Sequence, residues 1–129
     1  MVDSKTKKTV LVVEDEAATA LALCAALQHE GYEVLQADDG SKGLHVALDR
    51  HPDIMLVDLN LPKMNGMDMI REIRNDSWGK TVKIVILTNV SDMSSLEEAM
   101  KHETYYYLIK GDSSVADVIT TVRSQLEKK

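Results

Sequence analysis

The sequence predicts a single α/β domain, a doubly wound (βα)5 arrangement in which five parallel strands form one sheet with helices on both faces. Short apolar runs alternate with segments of helical periodicity five times along the 129 residues, and strands separated by helices form parallel pairs with right-handed crossovers. The first, third and fourth runs lack apolar–polar alternation for most of their length, which is typical of strands that helices cover on both faces.

The first strand is TVLVVE, and the first helix follows it. Apolar residues recur at helical spacing after Asp15; they are Ala17, Ala20, Leu21, Cys24 and Leu27. Gly31 is the residue type that most often follows the end of a helix in the left-handed conformation, so it is expected to act as the C-terminal cap. The second strand, YEVLQA, begins directly after it.

The middle of the chain supplies a second helix, a third strand and a third helix. Three apolar residues mark the second helix, Leu44, Ala47 and Leu48. The third strand is DIMLVD, in which the apolar run ends at a carboxylate, Asp58. The third helix follows Gly66 and is marked by Met67, Ile70 and Ile73. The segment NDSWGKT that follows is predicted to be a polar turn.

The last third of the chain supplies two more strands and two more helices. The fourth strand is VKIVILT. Ser94 and Glu97 have capping-box spacing, which predicts that a fourth helix begins there. The fifth strand is YYYLI. The last helix shows an apolar stripe that consists of Val115, Val118, Ile119, Val122 and Leu126.

Composition excludes several classes of protein. A net charge of −6 argues against direct nucleic-acid binding, which needs a basic face. No apolar run approaches the roughly 18 residues of a membrane span, so no membrane insertion is expected. The single cysteine, Cys24, excludes an internal disulfide and suits a reducing cytosol, so a cytoplasmic location is expected. Its apolar neighbours place Cys24 in the core.

The chain is predicted to consist of a flexible N-terminal tail, residues 1–8, and one domain, residues 9–129. The apolar patch that follows the first lysines ends at Glu14, which makes it too short for a secretory signal. Because the sequence shows no linker and no separate output domain, a stand-alone single domain is expected.

Polar side chains follow four of the five predicted strands at the point where each strand ends. They are Glu14, Asp15 and Glu16 after the first strand, Asp58 after the third, Thr88 after the fourth and Lys110 after the fifth. In sheets of this kind ligands bind beyond the carboxyl ends of the strands. The sequence therefore predicts one site that contains these side chains.

The chemistry of these side chains indicates phosphoryl transfer. Converging carboxylates raise one another's pKa unless a cation lies among them, and oxygen ligands without His or Cys suit Mg²⁺ (or Mn²⁺). Lys110 could neutralise an added anion and Thr88 could donate a hydrogen bond to it, which completes the parts that phosphoryl transfer needs. Asp58 is the best candidate nucleophile, because it ends the predicted central strand alone.

Each of these residues also has an ordinary structural explanation. Acidic residues are favourable in the first turn of a helix, an Asp or Thr at a strand end can serve a turn, and a Lys there can simply be solvated. Their complementary roles at one edge of one sheet favour a functional site.

Four segments together resemble the receiver domain of two-component response regulators: VLVVEDE, DIMLVDLNLPKMNGMDMIREIR, KIVILT and YYYLIK. The resemblance extends from about Thr9 to Leu126. It implies the flavodoxin-like receiver fold, with strand order 2-1-3-4-5. It also implies a signalling phosphoprotein of a phosphorelay rather than an enzyme, which catalyses at most its own phosphoryl transfer and dephosphorylation. The expected phosphodonor is a sensor histidine kinase or a histidine phosphotransfer protein.

The same resemblance assigns the metal site. It implies that Asp58 is the phosphoacceptor, that Asp15 binds Mg²⁺ directly, and that Glu14 assists. Asp58 and the backbone carbonyl of Asn60 complete the protein ligands.

The resemblance also assigns the switch. It implies that Thr88 and Lys110 contact the phosphoryl group, and that Tyr107 is the aromatic residue that changes rotamer on activation. A downstream protein target is then expected to bind the surface formed by the fourth helix, the fifth strand and the last helix.

Three residues depart from the usual pattern of the family. Asn65 stands where Asp is common, Gly111 stands where many members have Pro, and Asn89 stands where a small residue is usual. None of these departures removes a side chain with a predicted chemical role, although Asn89 could narrow access to the site.

Three alternatives stay open at this stage. A degenerate receiver would act as a phosphorylation-independent protein-binding module, although the intact set of site residues argues against it. A flavodoxin-like redox carrier needs a phosphate-binding loop rich in Ser, Thr and Gly after the first strand, where this chain has EDEAA. An aspartate-nucleophile phosphatase uses a second Asp two residues after the nucleophile, where this chain has Asn60.

Overall fold

A computed structural model describes residues 7–89, 94, 97, 106–111 and 113–128. The five predicted strands are present and form one parallel sheet of order β2-β1-β3-β4-β5. They are β1 (Thr9–Val13), β2 (Glu33–Ala37), β3 (Ile54–Asp58), β4 (Lys83–Thr88) and β5 (Tyr106–Ile109). The predicted fold class and strand order are confirmed.

Four α-helices lie entirely within the described residues. They are α1 (Ala17–His29), α2 (Gly40–Arg50), α3 (Gly66–Asn75) and the C-terminal helix α4 (Val115–Glu127). Of the fourth helix that the sequence predicts, Ser94 and Glu97 are helical and the remainder lies outside the described residues. No helix in the described part of the chain is both long enough and apolar enough to cross a membrane.

Helices cover both faces of the sheet, so the core has two layers. Leu11, Met55 and Ile86 point to the layer under α2 and α3, whereas their neighbours Val10, Leu56 and Val85 belong to the layer under α1 and α4. All five residues of β3 are buried. Burial of each large apolar side chain contributes about 1.5–3 kcal/mol, which explains why the central strands carry no polar alternation.

Side-chain caps fix where three helices begin. The Asp39 carboxylate accepts a hydrogen bond from the Lys42 N–H at the start of α2 (2.7 Å), and Ser114 forms a capping box with Asp117 at the start of α4. Asn65 accepts from the Asp68 N–H at the start of α3 (2.9 Å). Because Asn and Asp serve equally well as N-caps, the departure at Asn65 leaves this local structure intact.

The buried side of α1 contains only some of the apolar residues that predicted the helix. Its buried residues are Ala20, Leu23, Cys24 and Leu27, whereas Leu21 is 70% exposed and Ala17 is exposed as well. The helix predicted from the apolar spacing is therefore present, although Ala17 and Leu21 do not pack against the sheet. Almost every residue of α1 is apolar, so the periodicity could not fix which side of the helix packs against the sheet.

The segment NDSWGKT is more structured than the predicted polar turn. It contains a short 3-10 helix, Trp78–Lys80, and the Trp78 ring stacks on the His51 ring with centroids 4.6 Å apart. Gly79 is buried against α3, where an added Cβ would lie 1.9 Å from the carbonyl oxygen of Ile73. Gly79 and Trp78 therefore pack against the domain at the amino end of the sheet, whereas the polar residues of the turn stay largely exposed.

Gly31 follows the first helix, and Lys8 is the last residue of the predicted N-terminal tail. Gly31 follows the last turn of α1 with φ +97°, as expected of a C-terminal cap. The backbone carbonyl of Lys8 accepts a hydrogen bond from the Glu33 N–H (2.9 Å). The division of the chain into a tail, 1–8, and a domain, 9–129, stays a prediction, and residues 1–6 lie outside the described part.

Candidate functional site

The carboxyl ends of the parallel strands bring four of the predicted side chains together. Carboxylate oxygens of Glu14, Asp15 and Asp58 all lie within 4.8 Å of one another. The Lys110 ammonium donates to Glu14 Oε1 at 2.7 Å and to Asp58 Oδ2 at 3.0 Å. The sheet places these residues, because Glu14 follows β1, Asp58 ends the central strand and Lys110 follows β5.

Burial makes this cluster electrostatically demanding. Glu14 is 2% exposed and Asp58 is 3% exposed, whereas Asp15 faces solvent. A buried charge is costly unless it is paired, and the Lys110 ammonium supplies that pairing to both buried carboxylates. The cluster therefore holds two close negative charges only because a cation bridges them.

Glu14 has the most perturbed environment. Burial, followed by the close Asp58 carboxylate, raises the pKa of Glu14 to about 7, although Lys110 opposes the change. Glu14 Oε2 is buried and has no hydrogen-bond partner among the described residues. An unsatisfied buried acceptor costs about 1–3 kcal/mol, so this oxygen is available to a ligand that carries positive charge.

Lys110 stays charged in this setting. Burial alone disfavours the ammonium, but the hydrogen bonds and charges of Glu14 and Asp58 outweigh it, and the pKa of Lys110 is raised. The Lys110 ammonium, which contacts both carboxylates, would be attracted toward a negatively charged group that becomes bonded to one of them.

Both oxygens of Asp58 have a partner. Oδ2 accepts from Lys110, and Oδ1 accepts from the backbone N–H of Asn60 at 3.0 Å. Gly66 packs against the backbone at the end of β3, where an added Cβ would lie 2.6 Å from the Asp58 carbonyl oxygen. The loop between β3 and α3 therefore bends back over the acceptor residue, and Gly66 permits that approach.

Thr88 and Tyr107 lie beside this cluster on β4 and β5. Thr88 is fully buried and its hydroxyl donates to the carbonyl of Asn89 at 3.1 Å. Tyr107 pairs in register with Ile86 and is a partly buried residue packed on the core layer under α2 and α3. Their predicted role as a switch stays a prediction.

A cavity of about 920 Å³ opens from the cluster toward α1 and α4. The site contributes Asp58, Asn60 and Lys110 to its walls, and Asn89 borders it as well. The helices contribute small and apolar residues, among them Thr19, Ala22, Val115 and Val118. A phosphate-bearing group could therefore approach Asp58 from the side of α1 and α4.

Comparison with known proteins decides the family. The model of the response regulator receiver domain matches residues 10–123. The chain belongs to the response regulator receiver domain family. The family predicted from the resemblance of four sequence segments is therefore confirmed.

The curated relatives of this receiver domain are longer proteins. The response regulator ArlR of Staphylococcus saprophyticus is 32% identical over 120 residues, which cover 93% of this chain and 53% of ArlR. The transcriptional regulatory protein PdtaR of Mycobacterium tuberculosis is 31% identical over 121 residues, which cover 93% of this chain and 57% of PdtaR. The receiver domain thus spans about half the length of the curated relatives it matches.

Solved receiver domains have the same fold. The receiver domain of the sensor histidine kinase PA1611 from Pseudomonas aeruginosa is 26% identical, with a TM-score of 0.84 over 95% of this chain and 99% of that one. It has a magnesium ion coordinated in its active-site cleft. The chemotaxis protein CheY4 of Vibrio cholerae is 26% identical, with a TM-score of 0.82 over 92% of this chain and 98% of that one.

A divalent cation fits the residues of this receiver domain. The donor set contains carboxylate oxygens and neither His nor Cys, which suits a hard ion such as Mg²⁺, and the buried Glu14 Oε2 lacks a partner among the described residues. The predicted ligands Glu14, Asp15 and Asp58 form the acidic cluster. The Asn60 backbone N–H donates a hydrogen bond to Asp58. The Asn60 carbonyl, the remaining predicted ligand, lies in the same short loop.

Two features of the site were not found from the sequence. One is the burial of Glu14, which the acidic run EDE obscures because all three residues look equally exposed in the sequence. The other is the contact of Gly40, the first residue of α2, with the loop after β3. A glycine in the first turn of a helix is a poor helix former and was the available signal.

Proposed function

We propose that Asp58 of this receiver domain accepts a phosphoryl group from a phosphohistidine on a sensor histidine kinase or a histidine phosphotransfer protein. The observation that carries the proposal is the buried Asp58 carboxylate, which Lys110 bridges to Glu14 within an acidic cluster. One buried oxygen of that cluster has no partner in the described part of the chain. The cytoplasm is the proposed location, because phosphodonors of this kind act there.

In the proposed reaction, an oxygen of Asp58 attacks the phosphorus atom of the phosphohistidine. The new O–P bond forms while the N–P bond of the donor breaks, and the imidazole nitrogen leaves with the bonding electron pair. Glu14, Asp15, Asp58 and the carbonyl of Asn60 would hold Mg²⁺ or Mn²⁺. This ion, when bound, neutralises the oxygens of the group in transfer.

The residues around Asp58 prepare it for this step. The Asn60 N–H fixes one carboxylate oxygen and Lys110 fixes the other, so Asp58 is oriented before the donor arrives. Phosphorylation places roughly −1.5 to −2 charges and three acceptor oxygens where the single charge of the carboxylate was. Lys110 and the hydroxyl of Thr88, which now donates to the Asn89 carbonyl, then turn toward those oxygens.

The signal then leaves through the surface formed by the predicted fourth helix, β5 and α4. Inward movement of Thr88 empties space beside β5, and the half-buried Tyr107 is the large side chain on that strand that can fill it. The change is a shift between two packings that both exist beforehand. A protein target, rather than nucleic acid, binds this surface, since the chain carries a net charge of −6.

Intact-mass spectrometry after treatment with acetyl phosphate and Mg²⁺ tests the proposal. The wild-type chain should gain one phosphoryl group, and Asp58→Asn should gain none. Asp49→Asn, on the exposed side of α2, is the matched control and should be phosphorylated like wild type. An adduct that persists in Asp58→Asn, or that forms without divalent metal, would overturn the assignment.

A phosphorylation-independent binding module is the second candidate, and the Asn89 side of the cavity is the feature that favours it. Binding of a protein target, measured with the same variants, decides between the two. Binding of a target that is equal for wild type, for Asp58→Asn and for the phosphorylated chain would favour the binding module.

A further inference from the structure

Gly40, the first residue of α2, lies against the loop that follows β3, the strand that ends at Asp58. This β3–α3 loop comprises residues 59–65. A Cβ built on Gly40 would lie 1.7 Å from the carbonyl oxygen of Met64 and 2.6 Å from its carbonyl carbon. The Gly40 N–H also donates to the carbonyl of Pro62 at 3.3 Å. The two backbones therefore meet with no space for any side chain.

Space, rather than backbone conformation, explains the glycine. Gly40 has helical conformation and does not have a positive φ, so another residue could adopt the same backbone. Glycine lowers helix stability by about 1 kcal/mol relative to alanine in a helix interior. The close approach of the β3–α3 loop explains why this position has glycine, because the backbones can come this close only without a side chain.

The loop needs such support because part of it is strained. Lys63 has φ +67°, which is uncommon for a residue other than Gly, Asn or Asp. The Met64 N–H donates to the Pro62 carbonyl at 2.7 Å, which closes a tight three-residue turn. Such conformations persist when the surrounding structure holds them, and the N-terminus of α2 packs directly against this turn.

Other contacts hold the two ends of the loop. The Leu59 N–H donates to the Leu87 carbonyl at 3.2 Å, and the Gly66 N–H donates to the Leu59 carbonyl at 2.9 Å. In the middle, the Asp39 carboxylate that caps α2 lies 3.9 Å from the Lys63 ammonium. Asn60 lies between the end fixed by the sheet and the turn fixed by α2.

We infer that Gly40 is a positioning residue for the metal site. Its missing side chain lets α2 clamp the turn at 62–64, and the clamp sets the orientation of the Asn60 carbonyl two residues before it. The inference rests on the proposed function, in which that carbonyl is a metal ligand. Gly40 itself touches neither the metal nor the phosphoryl group.

The test compares Gly40→Ala with a matched variant, Gly79→Ala, in the full chain. A Cβ at Gly79 would lie 1.9 Å from the carbonyl oxygen of Ile73, so each alanine collides with a backbone carbonyl oxygen. The Gly79 collision occurs at the amino end of the sheet. Both variants should lose stability, and only Gly40→Ala should lose Mg²⁺ affinity.

Two measurements separate affinity from chemistry. The rise in melting temperature with Mg²⁺ reports binding of the metal to the folded state. Initial rates of phosphorylation by acetyl phosphate, measured over a range of Mg²⁺, give a half-saturating concentration and a maximal rate. Gly40→Ala should raise the half-saturating concentration about tenfold, as is typical when the support of a metal ligand changes. The maximal rate should stay within about twofold of wild type.

Three outcomes overturn the inference. An unchanged half-saturating concentration in Gly40→Ala, or an equal rise in Gly79→Ala, would show that Gly40 has only a structural role. If Gly40→Ala does not fold, Pro62→Ala replaces it, because Pro62 is exposed and its loss loosens the same turn. An unchanged value in Pro62→Ala would overturn the inference, whereas a wild-type chain that does not respond to Mg²⁺ would remove the proposed function itself.

Discussion

Lys83 and Arg74 at the amino end of the sheet and the charged cluster at the carboxyl end make different kinds of contact. At the amino end, two cationic side chains bond to the backbone: Lys83 donates to the carbonyl oxygens of Gln125 and Lys128, and Arg74 donates to those of Gly79 and Val82 at 2.7 and 2.8 Å. At the carboxyl end, charges face one another. Glu14 and Asp58 are buried close together, and Lys110 is the described cation that bridges them.

This difference between the contacts shows that charged side chains stabilise the fold at the amino end and that close carboxylates destabilise it at the carboxyl end. Lys83 and Arg74 satisfy carbonyl groups at the end of α4 and around the turn before β4, which stabilises the fold. The carboxyl end leaves Glu14 Oε2 without a partner among the described residues and keeps carboxylates close together. Functional sites commonly carry such local conflicts.

The largest effect should come from the amino end, with Arg74→Met. This change removes two charge-assisted hydrogen bonds and leaves the carbonyls of Gly79 and Val82 without them, so the free energy of unfolding should fall by about 3 kcal/mol. Urea denaturation measures the loss. The maximal rate of Asp58 phosphorylation should not change, and a slower rate would show that the two ends are coupled.

The next largest effect should come from Lys110→Met. Without metal, this variant leaves Glu14 and Asp58 unbridged. The free energy of unfolding should fall by about 2 kcal/mol, less than the roughly 3–5 kcal/mol typical of a buried ion pair that loses one partner, because Glu14 can bind a proton instead. Mg²⁺ should restore more stability to the variant than to wild type, because the ion replaces the lost cation. Lys83→Met is the matched control at the amino end. It should lose about 1 kcal/mol that Mg²⁺ does not restore.

The smallest effect, and the only gain, should come from Glu14→Gln. Because burial raises the pKa of Glu14 to about 7, the folded protein at pH 8 holds a carboxylate that is less favourable than a neutral amide. The free energy of unfolding without metal should rise by about 0.5–1 kcal/mol, and Mg²⁺ should stabilise the variant less than wild type. A loss of stability would contradict the view that this end gives stability up.

The sequence predicted the five strands and the residues of the candidate site, because apolar runs mark the strands and polar residues mark their ends. Asp58 and Lys110 stand out in the sequence since each follows an apolar run, and the parallel sheet then brings them together. Their actual contacts, with Lys110 bridging two carboxylates, required the structure. The proposed metal and switch roles of the site residues remain predictions.

The features that the sequence did not show have a common physical cause, since each depends on packing between separate elements. The apolar spacing predicted α1 but did not show which side of the helix is buried, because α1 is apolar on nearly every side. Trp78 and Gly79 were assigned to a polar turn because local composition does not reveal packing against His51 and Ile73. Gly40 was missed because a contact with Met64 joins distant parts of the chain.

The reactivity of the buried Cys24 thiol in α1 can be used to detect separation of this helix from the sheet. Cys24 is the single cysteine in the sequence, it is 3% exposed, and burial raises its pKa. A thiol-specific reagent can therefore reach it only when α1 separates from the sheet. Cysteines introduced at exposed positions would react selectively with fluorophores in the native protein while Cys24 remains in place, so labelling experiments need no background substitution.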